Sequence, residues 1–284
     1  MVDGALYFEQ SWYPFFDGDD LDAIPEALEE SMWTQVSSPP GPVPERDLAD
    51  GARILRERSS RAIIGLFGGN LLETGQFLYR SDKFLMMLAA DPGHTAEFLD
   101  RLTAHHLERL EAYLKTVGPT LDIILFGDDL GMQTGPQMSP DMYRSLFKPR
   151  HQALWRAAKE MADVKVMLHC CGGVRELLPD LIEAGLDAIN PVQIRALGME
   201  PSALKADFGS QIVFWGGGCD TQEVLPNRRP SDIADHVREN IAHFEKKGGF
   251  VFQQVHNILS NVPAENVAAM FREVNRLRGM EAGF

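Results

Sequence analysis

The stretch Val164-Lys165-Val166-Met167-Leu168-His169-Cys170-Cys171-Gly172-Gly173 decides how the chain reads. A run that is apolar except for Lys165 passes directly into a histidine, two cysteines and two glycines. A near-continuous apolar run is what a strand buried on both faces of a parallel sheet needs. The change to ligating and turn-forming residues marks the strand's end, where parallel α/β folds collect their chemistry. The same punctuation recurs on either side. Apolar runs at 62–67, 121–126, 186–190, 211–215 and 250–255 join 164–168 as six expected strands. Each ends in a polar or glycine-rich turn, and helical patterns separate them.

Those helical patterns carry start and stop signals. Asp91-Pro92 and Ser139-Pro140 each place a capping side chain before a proline suited to the first helical position. Gly118-Pro119 closes the first of these segments, and Pro149 is expected to break or kink the second. Ser231 is the expected cap of a helix running toward Gly248-Gly249, and Pro263 opens a last one. Repeated βα units predict a parallel α/β domain, either a barrel or a doubly wound sheet. No Gly-x-Gly-x-x-Gly follows a strand and no Gly-x-x-x-x-Gly-Lys-Ser/Thr occurs, which disfavours a nucleotide-binding sheet. The proline-rich stretch at 37–44 is the one linker-like region.

The 284 residues include 27 Lys and Arg against 41 Asp and Glu, a formal net charge of −14. The imbalance is local, because no basic residue precedes Arg46 and ten acidic ones lie in residues 1–45. Neither a duplex nucleic acid nor an anionic membrane suits such a chain, since both need a basic footprint. Phe8, Trp12, Tyr13, Phe15, Phe16 and Trp33 are too many aromatics for a solvated acidic tract. The expected organisation is one domain, with an acidic segment at 1–45 and the main βα units at 61–284. No apolar run is long enough to span a membrane, no signal peptide is evident, and three cysteines do not make a disulfide framework. A reducing, cytoplasmic setting is expected.

All three cysteines fall at strand ends. In extended geometry His169 and Cys171 point to one side, with Cys170 opposite. Cys219, in Gly216-Gly217-Gly218-Cys219-Asp220, ends a strand two units later. One imidazole and two thiolates suit Zn²⁺ and leave a fourth position open, as catalytic zinc requires. The alternative is small buried cysteines beside a satisfied histidine. Cys170 reads as structural. Asp128 and Asp129 are either substrate-binding groups or a helix or turn cap. His256 is expected to line the site. Asn190, Gln193 and Gly217 sit where a ligand would meet the strand ends, although for Asn190 and Gln193 satisfying loop backbone is the favoured reading.

These motifs, in their order and spacing, resemble the uroporphyrinogen decarboxylase superfamily. The resemblance runs from about Ala62 to the C-terminus. It rests on Gly127-Asp128-Asp129-Leu130-Gly131 through Gln133-Thr134-Gly135-Pro136 to Ser139-Pro140 and Tyr143. It continues at His169-Cys170-Cys171-Gly172, at Gly216 to Gln222, and at His256-Asn257 followed by Pro263 and Glu265-Asn266-Val267. Within the superfamily the chain looks closer to the corrinoid-linked methyltransferases, whose zinc-binding His-x-Cys and later Cys are matched by His169, Cys171 and Cys219. The decarboxylase branch lacks that cysteine set and carries an N-terminal arginine motif that is missing here.

The resemblance implies a (β/α)₈ TIM barrel with an atypical or shortened N-terminal part, its first two strands drawn from weak candidates at 5–9 and 34–37. It implies a zinc-dependent methyltransferase that moves a methyl group between a small methoxy-type or thiol substrate and a corrinoid (cobalamin) carried by a partner protein. Asp128, Asp129 and His256 would orient substrate or move a proton. Two rivals stand beside it: a metal-free carboxy-lyase, and a non-catalytic corrinoid- or ligand-binding barrel. A homodimer is compatible with either activity. The acidic segment is a candidate lid or partner-docking surface.

Overall fold

The computed structural model describes Gln10, residues 12–30 and residues 45–279. The expected strands at 5–9 and 34–37 and the linker at 37–44 lie outside those residues. In chain order the described part runs α1 (Ile24–Glu30), α2 (Glu45–Arg58), β1 (Ile64–Gly68), α3 (Leu72–Tyr79), α4 (Ser81–Ala90) and α5 (Pro92–Val117). Then come β2 (Ile123–Gly127), a hairpin of β3 (Gly131–Met132) and β4 (Gly135–Pro136), α6 (Pro140–Met142), a π turn at Tyr143–Phe147, and α7 (Lys148–Met161). The rest is β5 (Lys165–His169), α8 (Leu178–Glu183), β6 (Ala188–Asn190), α9 (Pro201–Phe208), β7 (Val213–Trp215), α10 (Val224–Asn227), α11 (Pro230–Phe244), β8 (Phe250–Val251) and α12 (Ala264–Leu277).

All six expected strands form. They make one parallel sheet in the order β1-β2-β5-β6-β7-β8, so consecutive long strands are always neighbours. That is the order of successive strands in a (β/α)₈ barrel, and the described residues supply six of the eight. Register sorts the side chains into two faces. Phe126, Leu168, Ile189, Phe214 and Phe250 lie along one row of partners. The first four of them are fully buried under the helices. Leu125, Met167, Ala188 and Val213 form a row on the opposite face, the lumen side of a barrel. Leu66, on the lumen face of β1 at the end of the series, is 73% exposed.

Local signals placed the helix starts at Asp91 and Ser139. Asp91 accepts from the His94 N–H with Pro92 in the first turn, and Ser139 Oγ accepts from the Met142 N–H. Pro149 does not break its helix. The π turn at Tyr143–Phe147 precedes it, and Pro149 falls in the first turn of α7, where no N–H is needed. Ser231 does not cap α11. That helix begins one residue earlier, at Pro230, and Ser231 sits inside its first turn. The β3–β4 hairpin had no separate strand signal, each arm being two residues long.

The described part of the acidic segment packs onto helices rather than extending into solvent. Phe15 is buried, with its ring 5.3 Å from that of Tyr79 on α3. Asp19 accepts from the Tyr79 hydroxyl and pairs with His94 on α5 at 2.7 Å. Asp22 pairs with Arg101, also on α5, and Lys83 on α4 donates to the carbonyls of Phe15 and Phe16. Two of its acidic groups, Asp19 and Asp22, thus meet basic groups that the later helices supply. Among the described residues no helix is long and apolar enough to cross a membrane.

Candidate metal centre

The C-terminal ends of β2, β5, β6 and β7, and the loop after β8, converge on one site. His169 is the last residue of β5, in register with Gly127 of β2 and Asn190 of β6. Its Nδ1 lies 2.8 Å from Asn190 Oδ1, and its Nε2 lies 3.5 Å from Cys171 Sγ. His256 reaches the same point from the loop after β8. Among the described residues, one ligand atom each from His169, Cys171 and His256 all fall within 4.8 Å of one another. Zinc held tetrahedrally at ~2.0 Å from nitrogen and ~2.3 Å from sulfur sets those two atoms about 3.5 Å apart. The observed separation of His169 and Cys171 therefore fits such an ion. Two imidazoles and a thiol also form a donor set of the right softness, with room for a fourth ligand.

Cys219, expected as the third ligand, is not in this cluster. Its thiol is completely buried among Leu225, Ile233, Val237 and Met270, on the helix side of the sheet. The Val255 N–H donates to the Cys219 carbonyl at 2.8 Å, so the loops bearing Cys219 and His256 lie side by side. The two side chains leave that pair of loops in different directions, and the imidazole is the one that reaches the other donors. Cys170 is buried, and its sulfur accepts from the Leu130 N–H at 3.3 Å, which agrees with a structural role.

The two aspartates divide the roles weighed for them. Asp128 is fully buried, and its oxygens accept from the N–H groups of Leu72 and Glu73 at 3.1 and 3.0 Å. His151 Nε2 stands 3.2 Å away, itself 3.1 Å through Nδ1 from the Tyr143 hydroxyl. Asp128 therefore caps the start of α3 and has no oxygen directed at a ligand. Asp129 faces the site, and its Oδ1 accepts from the Cys171 N–H at 2.7 Å.

Glu73, which no motif in the sequence picks out, is the second carboxylate here. Its Oε2 accepts from Asn70 Nδ2 at 2.5 Å and from the Asp129 N–H at 3.2 Å. Burial, then the charges of Asp128 and Asp129, raise its pKa from 4.5 to about 7. The Cys171 thiol is pushed up to about 12, first by burial and then by Asp129. Without a cation the site thus keeps the thiol protonated near neutrality, where Glu73 is about half protonated. A bound divalent ion would reverse that balance for the thiol.

The remaining expected groups serve the scaffold around these donors. Gln193 Oε1 accepts from the Gly172 N–H. Asn190 Nδ2 donates to the Trp215 carbonyl at 3.1 Å and to Gln253 Oε1 at 3.0 Å. Gly217, with φ +77°, is packed against Val192, Ile194 and Phe244, so its lack of a side chain serves close loop packing. At Gly172, φ is +86° and a Cβ would stand 2.3 Å from the Gly131 carbonyl carbon, which seats the β3–β4 hairpin directly on the Cys171 loop.

Comparison with curated protein sequences gives no match. Among solved structures, a methyltransferase from Methanosarcina mazei superposes with a TM-score of 0.67 at 19% identity, over 94% of this chain and 72% of that one. A likeness at that identity speaks for the fold, and it agrees with the barrel order of the strands. The family model for uroporphyrinogen decarboxylase (URO-D) matches residues 39–277, which takes in every long strand and every residue of the site. The chain belongs to the uroporphyrinogen decarboxylase family and has its TIM-barrel fold.

Proposed function

We propose that the protein is a zinc-dependent methyltransferase, acting between a small methylated or thiol substrate and a corrinoid carried by a partner protein, in a reducing, cytoplasmic setting. The observation that supports this best is the convergence of His169, Cys171 and His256 with a nitrogen–sulfur spacing suited to zinc. The likeness in fold to a protein described as a methyltransferase is in keeping with it. His169, Cys171 and His256 would hold the ion and leave one position for substrate. When bound, zinc supplies Lewis acidity that polarises an ether or amine, or lowers the pKa of a thiol.

The chain's own groups do the rest. Asp129 holds the Cys171 backbone, and so the sulfur, at the site through the 2.7 Å bond to the Cys171 N–H. Glu73 is held at Oε2 by Asn70 and by the Asp129 N–H, which leaves Oε1 to carry a proton near neutral pH. In this reading Glu73 takes the proton of a thiol substrate or returns one to a departing alkoxide or amine. Asp128 keeps the start of α3 in place and thereby aims Glu73.

The test is anaerobic purification, zinc measurement, and spectroscopic observation of cob(I)alamin methylation with a panel of methoxylated compounds and thiols. Near-stoichiometric zinc with methyl transfer in either direction is expected. Clearly substoichiometric zinc, unaffected by Cys171→Ala or His256→Ala, would remove the metal from the reading. Zinc without any transfer would leave a binding role.

A further inference from the structure

Asn190 occupies the centre of the cluster of strand ends yet contributes no donor to the three converging groups. It is buried, and it sits on the same rung of the sheet as His169. Its carboxamide makes three hydrogen bonds, each to a different element: His169 at the end of β5, Trp215 at the end of β7, and Gln253 just after β8. The orientation of the amide follows from the chemistry of those partners. The Trp215 group is a backbone carbonyl, which can only accept, so the NH₂ end of Asn190 must face it. The oxygen end then faces His169 Nδ1 at 2.8 Å. An amide oxygen has no proton to give. The bond therefore forms only if Nδ1 carries the hydrogen.

We propose that Asn190 is a positioning residue that fixes His169 as the Nδ1–H tautomer. Nε2 is then the nitrogen with the free lone pair, and it is the one 3.5 Å from Cys171 Sγ. A neutral histidine in water prefers to protonate Nε2, so this tautomer has to be imposed. The same carboxamide ties the ends of β5, β6, β7 and the loop carrying His256, and so fixes the spacing of the donors as well as the protonation state of one. Groups of this kind, hydrogen-bonded to the far nitrogen of a ligating histidine, typically change metal affinity by ~10–100-fold when removed. The metal consequence rests on the function proposed above; the tautomer does not.

Two measurements test it. In the unmodified, metal-free chain labelled with ¹⁵N-histidine, long-range ¹H–¹⁵N correlation near pH 8 reads the tautomer directly, with His169 assigned by the signal lost in His169→Gln. Nδ1–H is expected, and a predominantly Nε2–H ring would overturn the proposal. Zinc affinity, by competition with a chromophoric chelator, should fall by ~10–100-fold in Asn190→Leu, which keeps the side-chain shape but cannot accept. A loss within about twofold, in a variant whose melting curve shows it folded, would overturn the metal consequence. If that variant does not fold, the tautomer in the unmodified chain still decides. Zinc failing to bind a chain with the Nδ1–H ring would refute the metal reading and leave the role of Asn190 standing. Zinc binding to a chain with the Nε2–H ring would do the reverse.

Discussion

Replacing Glu73 with glutamine should change stability in a way that depends strongly on pH. Burial and the neighbouring Asp128 and Asp129 charges raise the carboxyl from 4.5 to about 7 in the folded chain. A folded state that holds its proton more tightly than the unfolded state gains stability from that group below the unfolded pKa. It loses that stability as pH rises through the folded pKa. At 1.36 kcal/mol per tenfold change in proton affinity, ionising Glu73 costs about 3 kcal/mol in total. Glutamine keeps an oxygen for Asn70 Nδ2 and the Asp129 N–H, and it has no charge to impose. Glu73→Gln should therefore gain about 2.5 kcal/mol on the native protein between about pH 5 and about pH 8.5. The assay is urea unfolding of both proteins after metal removal, at each pH. Only the difference between them is informative, because other groups titrate as well. His106, for example, is buried and lowered from 6.5 to about 4, so its contribution to stability rises with pH only up to the ordinary value and opposes that of Glu73 in the lower part of the window. A difference between variant and parent that stays constant within about 0.5 kcal/mol across the range would refute the argument.

The ligand assignment gives a separate contrast. Cys171→Ala and His256→Ala should each strip the protein of zinc, whereas Cys219→Ala should leave zinc content unchanged and cost about 1 kcal/mol of stability from lost packing. Zinc lost from a folded Cys219→Ala protein would restore the sequence-derived set. Asp128→Ala should destabilise by about 3 kcal/mol, because it leaves the Leu72 and Glu73 N–H groups and His151 without their acceptor. A change under about 1 kcal/mol in urea unfolding would contradict that capping role. Gly172→Ala should cost about 3 kcal/mol or more, since its Cβ would meet the backbone of Gly131 and Met132. Phe15→Ala should cost about 3 kcal/mol, because its ring is buried against Tyr79 of α3; no measurable loss in urea unfolding would contradict that docking.

Reading the sequence located all six long strands because a strand covered on its helix side must be apolar whatever it packs against. Val166 and Leu168 had to be hydrophobic, and the change at His169 had to end the run. The caps at Asp91 and Ser139 were legible for a similar reason, since each side chain bonds an N–H three residues along. The π turn before Pro149 was not legible, because it depends on how the helix is accommodated in its packing.

The site was legible only as far as local geometry reached. His169 and Cys171, two apart at the end of one strand, were paired correctly from alternation alone. The third member of the cluster was a matter of direction. Cys219 and the residue before His256 are hydrogen-bonded neighbours, so either loop lay near enough. The turn of each backbone sends the thiol into the layer formed with Leu225 and Met270 and the imidazole toward the other donors. Glu73 was hidden for the same reason. Within Leu71-Leu72-Glu73-Thr74 it reads as one more residue of a helix's first turn, and the carboxylates that raise its pKa lie more than fifty positions away. The amino-acid pattern alone sets the strands, the helix caps at Asp91 and Ser139 and the kinds of residue at the strand ends. Which of those residues meet is settled in three dimensions, because a side chain's direction depends on register and loop path, and residues distant in the chain set both.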